Sequence, residues 1–279
     1  MLTILALLLA AYALLCLLAF AFQSRLVFFP DRELTATPRD AGLDYEDISF
    51  LAQDGVRLHG WMIPGPDGGP LVLLLHGNAG NVSHRLGIIR LLHDLGASVF
   101  IFDYRGYGRS EGTPSEQGTY RDAEGAWRLL TERENVRPSR IVLFGRSLGS
   151  AVAIDLASSR TPAGLILEGS FPSLVAVGRK AYPYLPVGLL ARIRYDSARK
   201  IPGIGSPKLF LHAQDDDVVP IALGRRLFDA AAEPKEFVII AGGHEGPGWD
   251  PGTHYARSLR AFLDAVRERP KAGPVPTED

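Results

Sequence analysis

Residues 141–159 run from an apolar stretch through Gly145-Arg146-Ser147-Leu148-Gly149 into an Ala-rich segment. The pentapeptide joins a predicted strand to a predicted helix with no residue to spare, so the two must meet across a very tight turn. Side chains at Gly145 and Gly149 would collide with neighbouring backbone there, while Ser147 is thrust outward above the strand end. A helix that folds straight back onto its strand requires a sheet covered by helices.

The rest of the chain has the matching pattern. From Leu71 onward, short apolar strands alternate with amphipathic helices, with strands predicted at 71–76, 98–103, 141–144, 165–168, 209–212 and 236–240. Upstream, 43–52 and 56–63 read as two strands joined at Gln53-Asp54-Gly55, a turn that suits an antiparallel hairpin. Asn81 is placed to cap a helix with a Leu86, Ile89, Leu92 and Leu95 stripe, which Gly96 ends in a left-handed conformation. Pro220 opens another helix to about Ala232. The last helix spans 252–267, with Ala256, Leu259, Phe262, Leu263 and Val266 as its buried stripe, and Pro270 stops it. Residues 270–279 form a polar, Pro-rich tail. The expected architecture is α/β, with a mostly parallel eight-stranded sheet and helices on both faces.

The 279 residues suffice for one such domain, here residues 25–269, after an N-terminal segment. Residues 1–22 carry no charged side chain, and as a helix they would reach about 33 Å, enough to span a hydrocarbon core of about 30 Å. A cleaved signal peptide is the alternative, since Ala19-Phe20-Ala21 has a small-x-small form. The segment lacks a basic leading region, however, and its apolar run exceeds the usual length. Residues 1–24 are therefore expected to anchor the chain in a bilayer through residues 2–22. Arg25, Arg32 and Arg39 follow the anchor, which by the positive-inside rule keeps the domain cytoplasmic. Cys16 is the only cysteine and has no intrachain partner. A net charge of −1 carries no electrostatic footprint for nucleic acid.

A serine presented by strand, tight turn and helix is the nucleophile of an α/β-hydrolase elbow, and it needs a base. In that fold the acid and then the histidine follow the serine in chain order. The candidates for the base are His212, His244 and His254. His244 follows the last strand at the carboxyl edge of the sheet, where ligands bind; His254 falls in the first turn of the last helix, and His212 ends its own strand as a satisfied structural imidazole. Asp215, Asp216 and Asp217 all offer carboxylates after 208–212. Asp216 is the choice, with Asp215 the fallback and the others solvated. The oxyanion donors map to the backbone N–H groups of Leu148 and Asn78, the latter in His76-Gly77-Asn78-Ala79-Gly80, whose glycines let the backbone turn its amides inward. His76 reads as a loop-stabilising residue.

Together these residues resemble the membrane-anchored α/β-hydrolase-domain serine hydrolases of the bud-emergence type. The resemblance rests on Leu73 to Asn81, on Asp103-Tyr104-Arg105-Gly106-Tyr107-Gly108-Arg109-Ser110, on the serine pentapeptide and on Tyr182-Pro183-Tyr184-Leu185-Pro186. It extends to Asp216-Asp217-Val218-Val219-Pro220, where the family's acid-x-x-Val-Pro register points to Asp216. Ala213 departs from the family's usual His-Gly, and residues 245–249 depart from its usual Gly-His-Asn-Asp. The resemblance implies ester or thioester hydrolysis near a membrane.

Residues 170–206 occupy the place of a lid and read as a short, mostly helical cap. Phe171, Leu174, Val177 and Tyr182 are candidates to line an acyl pocket or to pack the cap onto the domain. With the anchor, they point to lipid-like esters or acylated proteins as substrates. A serine peptidase and a catalytically silent membrane-bound binding module are the competing readings. No metal-ligand spacing such as His-Glu-x-x-His occurs, and the chemistry requires no cofactor.

Overall fold

The central strands β4 (Leu71–Leu75) and β8 (Gly164–Glu168) are nearly unbroken apolar runs because each is covered on both faces. In the computed structural model, which describes residues 1–244 and 252–268, alternate side chains of one strand enter separate cores. Leu71, Leu73 and Leu75 pack with Ile141, Leu143, Leu165, Leu167 and Phe210 on one face. Val72 and Leu74 pack with Val142, Phe144, Ile166, Leu209 and Leu211 on the other.

Eight strands form the sheet: β2 (Glu46–Leu51), β3 (Arg57–Ile63), β4 (Leu71–Leu75), β6 (Ser98–Phe102), β7 (Ile141–Arg146), β8 (Gly164–Glu168), β9 (Lys208–Ala213) and β10 (Lys235–Ile240). Their spatial order is β10-β9-β8-β7-β4-β6-β3-β2. Only β3 runs against the rest, pairing antiparallel with both β2 and β6. Two further strands, β1 (Phe29–Pro30) and β5 (Ala79–Gly80), form a short parallel pair. This is the predicted α/β-hydrolase architecture.

The helices are α1 (Leu2–Ala21), α2 (Gln23–Val27), α3 (Leu86–Asp94), α4 (Glu116–Arg128), α5 (Leu148–Ser159), α6 (Leu174–Ala181), α7 (Val187–Leu190), α8 (Ser197–Lys200), α9 (Ile221–Ala230) and α10 (His254–Glu268). Asn81 accepts from Ser83 N–H and caps a 3₁₀ turn, Val82–Arg85, that leads into α3. Gly96 takes the left-handed φ of 85° expected of it. Helix α10 buries Tyr255 in addition to most of its predicted stripe, because a tyrosine with a partner for its hydroxyl can enter a core.

Some expectations need correction. The helical cap is divided into short pieces, α6, α7 and α8 with a 3₁₀ turn at Ile201–Gly203, since Pro183 and Pro186 deny the chain between α6 and α7 a continuous helix. Phe262 is only partly buried. Helix α9 ends at Ala230, two residues early. Residues 245–249, where the sequence departs from the family pattern, and the tail 270–279 lie outside the described residues.

Helix α1 is long and apolar enough to cross a membrane and has no buried residue. It does not stand apart from the domain. The chain that follows it is stitched to the loop after β4: Phe29 N–H donates to the Asn78 carbonyl, Asp31 N–H to that of Gly80, and Asn78 Nδ2 to that of Val27.

Candidate active site

Parallel strands end at one edge of the sheet, and the loops leaving β4, β7, β9 and β10 converge there. Ser147 leaves β7 with φ 51° and ψ −118°, a conformation that is costly for a residue with a side chain, about 1–3 kcal/mol. The flanking glycines make it attainable. A Cβ at Gly145 would overlap the Gly149 carbonyl oxygen, and one at Gly149 would overlap that of Leu75. Ser150 turns away, its buried hydroxyl donating to the Ser147 carbonyl.

Ser147 Oγ lies 3.0 Å from His244 Nε2, and His244 Nδ1 lies 2.8 Å from Asp216 Oδ2. The carboxylate can only accept, so Nδ1 carries the proton and Nε2 faces the serine as a base. Asp216 is buried, while Asp215 and Asp217 are exposed. Burial favours the neutral acid, but the hydrogen bonds from His244 and from Val219 N–H outweigh it and hold the carboxyl below its ordinary range. Asp216 is therefore the carboxylate oriented on His244. His254 begins α10 and is exposed. His212 is less satisfied than expected: Nε2 donates to the Val219 carbonyl at 2.8 Å, while Nδ1 has no hydrogen-bond partner among the described residues. Gly224 packs against that ring, where a Cβ would overlap Nδ1.

Asn78 and Leu148 both flank Ser147 in one cavity. His76 Nδ1 donates to the Gly77 carbonyl at 2.7 Å. That carbonyl shares its peptide plane with Asn78 N–H, so the imidazole sets the direction of the proposed oxyanion donor. Burial holds the His76 ring neutral, with its pKa lowered to about 3. Tyr107 Oη donates to the Asn78 carbonyl and Tyr104 Oη to that of His76. Of the two loop glycines, only Gly80 has a positive φ; a Cβ at Gly77 would meet Ser147 Cβ at an ordinary 3.7 Å.

The cavity has a volume of about 300 Å³. Phe171, Leu174, Val177 and Tyr182 all line it. Ala19, Gln23, Leu26, Val27 and Phe29 line it too. Ala19 and Gln23 fall in the segment expected to anchor the chain, and Leu26, Val27 and Phe29 at the very start of the expected domain; nothing in their pattern marks them as pocket wall.

A second group escaped the sequence reading. Arg146 Nη2 donates to the His244 carbonyl at 2.8 Å, while its Nε pairs with Glu168 at 3.2 Å. Glu168 also accepts from Tyr255 Oη at 2.7 Å. Arg146, the residue before Ser147, thus helps hold the loop that carries His244. A charged residue ending an otherwise apolar buried strand, as Glu168 does, was the available signal.

A model of the α/β-hydrolase fold family matches residues 70–186. The chain is 36% identical over 271 residues to WAV2, an α/β-hydrolase domain-containing protein of Arabidopsis thaliana, with 88% of each covered. It belongs to the α/β-hydrolase family. Other family relatives are the protein bem46 of Schizosaccharomyces pombe, 35% identical over 72% of each chain, and an uncharacterized protein of Mycobacterium tuberculosis. The latter is 43% identical, over 88% of this chain and 86% of that one. Among solved α/β-hydrolase structures, an esterase of Pyrococcus furiosus superposes with a TM-score of 0.68 at 20% identity, covering 86% of this chain and 97% of its own. An α/β-hydrolase of Vibrio vulnificus gives 0.70 at 23%, covering 83% and 88%. Family and fold support hydrolase activity in general.

Proposed function

We propose that this chain is a membrane-anchored serine hydrolase that cleaves carboxylic ester or thioester bonds through an acyl-enzyme intermediate. The observation that carries the reading is the relay from Ser147 Oγ to His244 to Asp216 beside an apolar cavity. His244 Nε2 takes the Ser147 proton as Oγ attacks the substrate carbonyl carbon. Asp216 stays ionised and stabilises the imidazolium. The tetrahedral oxyanion is met by Leu148 and Asn78 N–H, a type of stabilisation worth about 100 to 1,000-fold in turnover per donor. Collapse expels the alcohol or thiol, which takes its proton from His244 and leaves the acyl group on Ser147. Water, activated by the same base, then attacks the acyl carbon, releases the acid and restores the serine.

The cavity favours an acyl chain as the group bound, because its wall is built mainly from aliphatic and aromatic side chains. Lipid-like esters or acylated proteins presented at the bilayer are the substrate class. Anchoring rests on the length and apolarity of α1, and the three arginines after it favour a cytoplasmic catalytic domain.

The test is p-nitrophenyl ester hydrolysis across acyl lengths, with Ser147→Ala as the comparison. The substitution should lower kcat/KM at least about 1,000-fold without lowering the melting temperature. Equal rates in the two folded proteins would overturn the nucleophile assignment. Failure of a fluorophosphonate to label the native protein would favour the silent binding module.

A further inference from the structure

The uncharged tip of the cap lies along α1. Residues 182–191 read Tyr-Pro-Tyr-Leu-Pro-Val-Gly-Leu-Leu-Ala and carry no charge, while Arg179 and Lys180 precede them and Arg192 follows. Arg192 meets the end of α1: its Nη2 donates to the Phe20 carbonyl at 3.0 Å and its guanidinium stands 4.5 Å over the Phe20 ring. Gln23 clamps the same stretch, donating to the Leu190 carbonyl at 2.6 Å and accepting from Arg192 N–H at 2.8 Å. Much farther along α1, Tyr12 Oη donates to the Tyr184 carbonyl at 2.9 Å.

Those two contact levels set a depth. Eight residues of helix separate Tyr12 from Phe20, about 12 Å at 1.5 Å per residue, which is nearly half of a hydrocarbon core of about 30 Å. If α1 crosses a bilayer, the cap tip beside Tyr12 lies among acyl chains, and Arg192 lies near the headgroups. The exposed surface fits that depth. Leu189 is 87% and Tyr184 64% exposed, arrangements unfavourable in water and favourable in lipid. The flanking basic residues suit an anionic headgroup layer. The cavity continues the same path, since Ala19 and Gln23 from the anchor end and Tyr182, Leu185 and Leu190 from the cap share its wall with Ser147.

We infer that the cap tip is immersed in the leaflet beside α1 and that the cavity admits acyl chains laterally from the bilayer to Ser147. The inference deepens the proposed function and rests on its reading of α1 as the anchor. The lipid ester need not cross water, and the anchor serves as a wall of the substrate path as well as a tether.

The test uses the full chain, with Cys16→Ala to leave a single thiol, in phosphatidylcholine–phosphatidylglycerol vesicles. A bimane fluorophore is placed at Leu189→Cys or, as a reference on the exposed end of α4, at Arg128→Cys. Lipids bearing a nitroxide on the acyl chain should quench the Leu189 site at least threefold more than the Arg128 site; equal quenching overturns the immersion. For access, Leu189→Glu should lower the ratio of vesicle-embedded long-chain ester turnover to soluble acetate ester turnover at least tenfold. An unchanged ratio overturns lateral access, including when both rates fall together. Fluorophosphonate labelling of the same samples reports Ser147 separately, and the quenching result does not depend on hydrolysis, so loss of the hydrolase reading and loss of this one are told apart.

Discussion

The floor and the roof of the cavity are built on different principles. The floor is backbone: the serine turn is wedged between Gly145, Gly149 and the Leu75 carbonyl, and the donor loop is pinned through His76, Tyr104 and Tyr107. The roof is made of short helices, half-exposed apolar side chains and a few hydrogen bonds from Gln23, Tyr12 and Arg192. Transferring a proton and stabilising an oxyanion tolerate little displacement, whereas an acyl chain accepts any smooth apolar wall. Rigid backbone packing serves the first demand, and adaptable side chains serve the second.

Three substitutions sharpen that contrast. On the floor, Gly149→Ala sets a methyl against backbone that cannot yield, so a loss of about 3 kcal/mol in denaturant unfolding is expected, with activity falling alongside. Glu168→Gln breaks its ion pair with Arg146 and loosens the His244 loop. It should lower kcat about tenfold while KM changes less than twofold, since Glu168 acts on the base and not on substrate. On the roof, Leu174→Ala should leave stability within about 1 kcal/mol, because the site is only half-buried, and should shift the long-chain over short-chain ratio by about three- to tenfold. A large loss of stability there would erase the distinction between floor and roof.

The smallest effect belongs to Asp54, remote from the cavity. The hydrogen bonds from Arg105 lower its carboxyl to about 2, against the opposing effect of burial. A depressed acid stabilises the fold above its unfolded pKa of about 3.9, and that contribution is lost as pH falls through about 2. Because the pair is partly exposed and screened, Asp54→Asn should cost about 1 kcal/mol at pH 7. The difference between the two proteins should vanish in melts taken from pH 4 down to pH 2.

Much of this molecule was legible in its residues. Strands buried on both faces leave unbroken apolar runs, so the parallel sheet could be read directly. Tight turns leave glycines, so Ser147 stood out, and chain order after the serine led to His244 and Asp216. Local chemistry acts over a few residues, and each of those signals is local. The sequence also marked α1 as a helix of membrane-spanning length and Phe171, Leu174 and Tyr182 as candidates for a pocket wall.

What only the tertiary structure decided are the contacts between segments far apart in the chain. Arg146 reaches the carbonyl of His244, and Glu168 joins it to Tyr255 of the last helix. His76 fixes the Gly77–Asn78 peptide through the Gly77 carbonyl, a contact that its place in the loop sequence does not reveal. Above all, Gln23 and Ala19 line the cavity with the cap. A side chain at the end of an apolar helix reads as tether, because its partners at 190–193 are set by how the cap folds over the sheet and by nothing in the sequence around it.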